Sequence, residues 1–285
     1  MNEIDGKLNI LGLTPRLQQE RPIFIFSSGH RCGSTLLQRL LNSSPDVLIW
    51  GEHNGYLNHY IQIYHNLQKW EQKMTHYRGI FLNDGYNNFI ANMMPETYEL
   101  KEAALLHIYG IFGIPALRLG RNIWGFKEVR YGVDVALFLQ NLFPRARFIH
   151  LVRDISACFL SMRRWELSEN NEWLPEWTLA SLDNWERICR GFLEEGPQLR
   201  NLLSIRFEDM IAEPVQLIEK LGDYLHVPAD NFDRNVFVKK ISSVNVDGSG
   251  DLSSNPKATI TEEDRVIINI PERLRLAEAY GYSNQ

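Results

Sequence analysis

Pro22-Ile23-Phe24-Ile25-Phe26-Ser27-Ser28-Gly29-His30-Arg31-Cys32-Gly33-Ser34-Thr35-Leu36-Leu37 decides the fold. Its first five residues are a continuous apolar run, the pattern of a strand buried on both faces of a parallel sheet. Ser27 to Cys32 is a turn. Gly33 to Asn42 reads as a helix, with Leu36, Leu37, Leu40 and Leu41 at helical spacing and Ser43-Ser44-Pro45 to stop it. A glycine-bearing turn between a buried strand and a helix N-terminus is a place for an anion, because free N–H groups and the helix dipole converge there. Gly33 lets backbone approach closely, Ser34 and Thr35 add hydroxyls, and Arg31 adds a guanidinium fork. The loop is not a Walker A motif: three residues separate Gly29 from Gly33, and Ser34 stands where the lysine belongs. A turn whose Ser and Thr merely cap the helix has the same composition.

Working outward, Ala146–Val152 followed by Arg153-Asp154 and a helix through Ser161 and Met162 is a second strand–helix unit. Trp124–Lys127 is a third short strand, and Leu203–Phe207 a fourth, with a helix around Leu217 to Leu225. Strands alternating with helices predict an α/β fold: one P-loop-like domain over 1–285, with a central, mostly parallel sheet flanked by helices. A large helical insertion is expected at about 55–112 and a second, Trp-rich one at about 165–200. A Ser/Gly/Asp/Asn-rich loop is expected at about 242–256.

The 285 residues carry 30 Lys+Arg against 35 Asp+Glu, a formal charge of −5, so the chain does not advertise a nucleic-acid-binding surface. Any anionic ligand must be caught by a local cluster of donors. Cys32, Cys158 and Cys189 form no CxxC pair, which suggests a reducing compartment. No apolar leader is visible in Met1–Arg21, and no stretch approaches the roughly 18–20 apolar residues of a membrane span. The expectation is a cytoplasmic, soluble protein with no membrane partner. Oligomeric state is not legible; a homodimer is compatible with the sequence.

The loop from Arg31 through Pro45-Asp46-Val47 to Gly51-Glu52 resembles the 5′-phosphosulfate loop of sulfotransferases that use 3′-phosphoadenosine-5′-phosphosulfate (PAPS), most of all the tyrosylprotein sulfotransferase branch. Phe148–Asp154 with Ser161 resembles the family's 3′-phosphate motif, Lys127 falls where that branch carries a catalytic lysine, and Ile205–Met210 is similar to its later R-Y-E-D-L element. The likeness runs from about Arg21 to Lys257. Cys32 stands for a serine, Phe207 for a tyrosine and His53 for a second glutamate, and the signal anchor of the tyrosylprotein enzymes is missing.

The resemblance implies sulfuryl transfer from PAPS, giving adenosine 3′,5′-bisphosphate, with no metal required. It implies Glu52 as general base, with His53 and then His30 as rivals, and Lys127 and Arg31 as cations on the sulfuryl and bridging oxygens. The donor would be held by His30, Arg31, Cys32, Gly33, Ser34 and Thr35, by Arg153 and Ser161 at the 3′-phosphate, and by Arg206, Lys257 and one of Ser242 and Ser243. Arg163 and Arg164 could assist, or form a solvated basic edge. Trp50 and Trp124 are the tryptophans to suspect as ring stackers. The expected acceptor is a small molecule bearing a hydroxyl or amine, such as a natural product of secondary metabolism, and the acidic balance of the chain is compatible with a cationic one; peptide tyrosine and carbohydrate stay open. A P-loop kinase or NTPase, which needs the absent lysine and a metal-binding acid, is the rival enzyme. A non-catalytic binder is the third reading.

Overall fold

The computed structural model describes residues 15–170, 175–238 and 259–282. Five strands form one sheet: β1 (Ile23–Ser27), β2 (Val47–Trp50), β3 (Ile123–Glu128), β4 (Arg147–Val152) and β5 (Leu202–Arg206). Their order is β2-β3-β1-β4-β5, and every neighbouring pair is parallel. Between them lie α1 (Ser34–Asn42), α2 (Tyr56–Asp84), α3 (Thr97–Ile108), α4 (Ile114–Arg118), α5 (Val133–Leu142), α6 (Ile155–Asn170), α7 (Pro175–Glu194), α8 (Phe207–Ala212), α9 (Pro214–Leu225), α10 (Glu262–Ile268) and α11 (Pro271–Ala279).

All five residues of β1 and all six of β4 are buried, as suits the apolar run Ile23–Phe26 and the largely apolar β4, which also buries Arg147 and His150. Because side chains alternate along a strand, the Ile-Phe-Ile-Phe run of β1 sorts itself by shape. Phe24 and Phe26 face a largely aromatic layer with Phe126 and Phe148, under α3 and α5. The Phe24 ring lies 4.7 Å from that of Phe126 and 5.9 Å from that of Phe148. Ile23 and Ile25 face an aliphatic layer built from Leu37, Leu40 and Leu41 of α1 and Leu217, Ile218 and Leu221 of α9.

The sequence suggested four strands, and β2 is the fifth. With only Val47 and Ile49 facing inward, a four-residue edge strand has too short a period to stand out from a loop. The 55–112 region is helical apart from the connection 88–96: α2 ends in a 3-10 turn over Gly85–Asn87, and after the connection come α3 and a π-turn over Tyr109–Gly113 that runs into α4. Gly113 is needed there, since a Cβ would sit 2.3 Å from the Tyr109 ring and 3.1 Å from Trp124.

One expectation needs correcting. Thr97–Arg118 is 22 residues long with a window of mean hydropathy 1.3, enough by length and composition to cross a membrane. Its apolar content has a local explanation: Ala104, Leu105, Ile108, Phe112 and Ala116 pack on the aromatic face of the sheet. The 242–256 loop lies outside the described residues.

In this strand order the chain leaves β1 toward β2 and β3 on one side and returns to β4 and β5 on the other. The crevice at the carboxyl ends of β1 and β4 is therefore the switch point where ligands of open α/β sheets bind. The loop after β1 and Arg153 after β4 flank it, while Glu52 and Lys127 stand at the carboxyl ends of β2 and β3.

Candidate active site

The loop after β1 turns on three left-handed residues, Gly29 (φ 123°), Arg31 (φ 62°) and Gly33 (φ 86°). Alternation of this kind turns successive N–H groups toward one side, the concavity that anions favour. Arg31 pays a steric cost that glycine does not. Gly33 caps α1, and a Cβ there would meet the Phe207 ring at 2.2 Å, so the glycine is fixed by packing as well as by φ. Ser34 is buried and Thr35 exposed. The Cys32 thiol points inward, 3.3 Å from Ser28 Oγ and 3.4 Å from Cys158 Sγ, so only its backbone N–H is left for an anion.

The second phosphate motif closes onto this loop. Arg31 Nε donates to Ser161 Oγ on α6 at 3.2 Å, and Arg153 Nη1 donates to the Arg31 carbonyl at 2.8 Å. The Arg153 guanidinium lies 4.3 Å from the centroid of the Phe207 ring, while its buried Nε has no partner among the described residues. A buried guanidinium donor without an acceptor, beside a serine hydroxyl and a second arginine, suits a phosphate.

Across the crevice Glu52 is clamped between two cations. Its Oε1 accepts a short hydrogen bond from Lys127 Nζ, and its Oε2 accepts from Arg130 Nη1 at 3.0 Å. Lys127 is nearly buried, with 6% of its side chain exposed, whereas 32% of the Glu52 side chain is open to solvent. Burial pushes the Glu52 carboxyl up, but the Lys127 and Arg130 contacts outweigh it and hold the group below the usual carboxylate range. His30 sits in the same field. Burial, reinforced by Arg130, keeps its imidazole below the usual value despite Glu52 and Glu128, so it is neutral at pH 7.

Sequence reasoning missed Glu128 and Arg130. Glu128 has no exposed side-chain surface. Its Oε1 accepts from Val129 N at 2.8 Å and Arg130 Nη1 at 2.8 Å; its Oε2 accepts from His53 N at 3.2 Å and Gly55 N at 3.1 Å. Burial raises the Glu128 carboxyl, yet these N–H groups and Arg130 bring it below the usual range. Glu128 thus ties the Glu52–Gly55 turn to the end of β3, where Lys127 stands. The signal was present in Lys127-Glu128-Val129-Arg130, a charged cluster closing a buried strand.

Several expected site residues lie elsewhere. The His53 ring is boxed by Tyr56, Phe112, Phe126 and Tyr131, with centroids 4.7–5.3 Å away, and its Nδ1 is 3.3 Å from the Gly51 carbonyl. Its buried Nε2 has no hydrogen-bond partner among the described residues. Arg206, at the end of β5, stacks on Tyr282 at 4.5 Å and lies 4.0 Å from Asp209, while its buried Nε has no hydrogen-bond partner among the described residues. Arg163 is bidentate to Asp264 at 2.7 and 2.8 Å, a link between α6 and α10. Arg164 is exposed. Trp124 is core and donates to Glu20 at 3.1 Å; Trp50 donates to the Phe112 carbonyl at 2.9 Å. Lys257, Ser242 and Ser243 lie outside the described residues.

Residues 22–231 match the model of a family described as the sulfotransferase family. The chain belongs to the sulfotransferase family. That match sets it apart from the nucleotide kinases, in keeping with the missing Walker lysine. It is 21% identical over 249 residues to protein-tyrosine sulfotransferase A of Caenorhabditis elegans, covering 82% of this chain and 58% of that protein. The chain thus spans under two thirds of that relative's length. Its fold is similar to that of the sulfotransferase domain of the Synechococcus PCC 7002 olefin synthase, with a TM-score of 0.53 at 20% identity, covering 94% of this chain and 97% of that domain. The α/β architecture with a parallel central sheet is that of its sulfotransferase neighbours.

Proposed function

We propose that this sulfotransferase moves a sulfuryl group from PAPS to a hydroxyl or amine of a small acceptor, releasing adenosine 3′,5′-bisphosphate. The observation that carries the reading is the Arg31–Ser161–Arg153 contact. It joins two phosphate motifs over a hundred residues apart in sequence, at the switch point of the sheet, and leaves a guanidinium donor there unpartnered. PAPS, when bound, supplies the sulfuryl group and a phosphate leaving group. The other roles belong to the chain. The loop N–H groups and Arg31 hold the 5′ side, and Arg153 with Ser161 holds the 3′-phosphate that distinguishes this donor from ATP. Lys127 offers positive charge where the leaving oxygen gains its negative charge, an arrangement whose removal typically costs about 2.7–4 kcal/mol in the barrier. Glu52 takes the acceptor proton. The Lys127 and Arg130 contacts keep it ionised at neutral pH, so it is free of its own proton although they weaken it as a base.

Support for a small natural-product acceptor comes from the overall likeness to a domain of a biosynthetic synthase. The curated relative favours a second reading, a tyrosyl peptide. Calorimetric titration with adenosine 3′,5′-bisphosphate, with ATP–Mg²⁺ and AMP in parallel, tests the donor. Selective binding of the bisphosphate is expected. Preference for ATP–Mg²⁺ would refute the reading, and binding without transfer to phenols, amines or tyrosyl peptides would leave a non-catalytic binder.

A further inference from the structure

The three cysteines, scattered in sequence, gather behind the phosphate loop. Cys32 Sγ lies 3.4 Å from Cys158 Sγ and 3.3 Å from Ser28 Oγ. Cys189, fully buried, feels the same Ser28 and Cys32. Each member of the close pair sits on a donor-site element. Cys32 is between Arg31 and Gly33, and Cys158 is one helical turn before Ser161 on α6. The sulfurs need to approach by only a little over 1 Å to reach the ~2.05 Å of a disulfide. Beside Cys158 lies a small cavity, bounded also by Ser28, His30, Phe159, Met162 and Trp185, with room for about one water.

We infer that Cys32 and Cys158 form a thiol modification site, closed to a disulfide by a small hydroperoxide and reopened by thiols, and that closing it disables the donor site. One thiol of the pair reacts first, as its thiolate: it attacks the hydroperoxide oxygen, the O–O bond breaks, a proton is taken up, and an alcohol (or water) leaves with that cysteine as a sulfenic acid. The other thiol, 3.4 Å away, then attacks that sulfur, forming the S–S bond and expelling water. Overall two thiols are oxidised by two electrons and one peroxide is reduced. Two further thiols, from glutathione or a dithiol reductant, reverse the step.

The bond draws the loop toward α6 at the point where Arg31 meets Ser161, and it breaks the Cys32–Ser28 contact that orients the N–H at position 32. The effect on the donor rests on the function proposed above; the existence of the site does not. The test is to treat the full chain with hydrogen peroxide at low molar excess and map the cysteines by mass spectrometry before and after dithiothreitol. Adenosine 3′,5′-bisphosphate is then titrated into each form. A reversible Cys32–Cys158 cross-link is expected, with bisphosphate binding at least tenfold weaker in the oxidised form. Cys158→Ala should bind equally before and after peroxide, and Cys189→Ser should still cross-link. Over-oxidation without a cross-link, a link through Cys189, or unchanged affinity despite the cross-link would overturn the inference. A reduced protein that binds no bisphosphate would instead sink the proposed function, while the peptide map still decides whether the site exists.

Discussion

Glu52 carries the most weight for the least context: a partly exposed acid, singled out by the resemblance of the Arg31-to-Glu52 stretch to the family's loop, found held by two cations. Replacing it with Gln keeps the shape of the cluster and removes the base. Transfer should fall by about 10²–10⁴-fold, with bisphosphate affinity within a factor of a few of wild type. Calorimetry paired with a transfer assay separates the two quantities, and normal turnover would return the role of base to His30. Arg153→Ala should weaken the bisphosphate by about 10- to 100-fold, the size of a charge-assisted hydrogen bond, and AMP far less. Equal weakening of both nucleotides would show that Arg153 does not read the 3′-phosphate. Glu128→Gln presents an NH₂ group where a carboxylate oxygen now accepts from backbone N–H donors, and it halves an ion pair. A loss of about 2–4 kcal/mol is expected, visible as a lower midpoint of thermal unfolding. Its sign with pH follows from the depressed carboxyls. The stability that Glu52 and Glu128 contribute is present above the unfolded value of ~4.3 and disappears as pH falls through their lower folded values.

At the scale of the element, Gly33 joins strand to helix. Gly33→Ala places a methyl inside the Phe207 ring and keeps φ at 86°, so the loop must move. Bisphosphate binding should be lost while far-ultraviolet circular dichroism still shows the α/β content. Retained binding would mean that Phe207 simply swings aside. The β1–loop–α1 unit was legible because each signal agreed: a doubly buried run, a glycine turn, four leucines at helical spacing. The strands β3 and β4 were legible for the first of those reasons, and β5, an edge strand in which only Ile205 is buried, from its short apolar run. What stayed hidden was decided by partners far along the chain. His53 looked like a candidate base from its neighbours in sequence, yet Phe112, Phe126 and Tyr131 claim its ring. Arg206 and Arg163 looked like phosphate donors until Tyr282 and Asp264 were seen to hold them. Glu128 was invisible because a buried acid cannot be told from an exposed one without its donors. Glu52 and Lys127, which the resemblance named separately, are in hydrogen-bond contact in the structure.

At the scale of the whole molecule, a histidine lies wholly in the interior with no hydrogen-bond partner among the described residues. His150, in the middle of β4, stacks on Phe192 at 4.2 Å; neither ring nitrogen has a hydrogen bond among the described residues, and burial pushes its pKa down to about 3. The unfolded chain protonates this imidazole near 6.5 and the native one does not, so stability is full above about pH 6.5 and drains away below it. His150→Phe should flatten the loss between pH 6.5 and 5, measured as denaturant midpoints across that range; an unchanged slope would place the loss elsewhere. Adenosine 3′,5′-bisphosphate at a hundred times its dissociation constant should add about 2.7 kcal/mol, a rise of several degrees in the unfolding midpoint. The central place of β1 also has a cost during synthesis. Its only sheet partners are β3 and β4, so the ribosome must travel from Ser27 to Val152 before both edges of the strand can be covered. At about 5–20 residues per second that is on the order of ten seconds in which Ile23–Phe26 waits with at least one edge bare. A nascent chain in that interval is a natural client for a chaperone that holds short apolar segments.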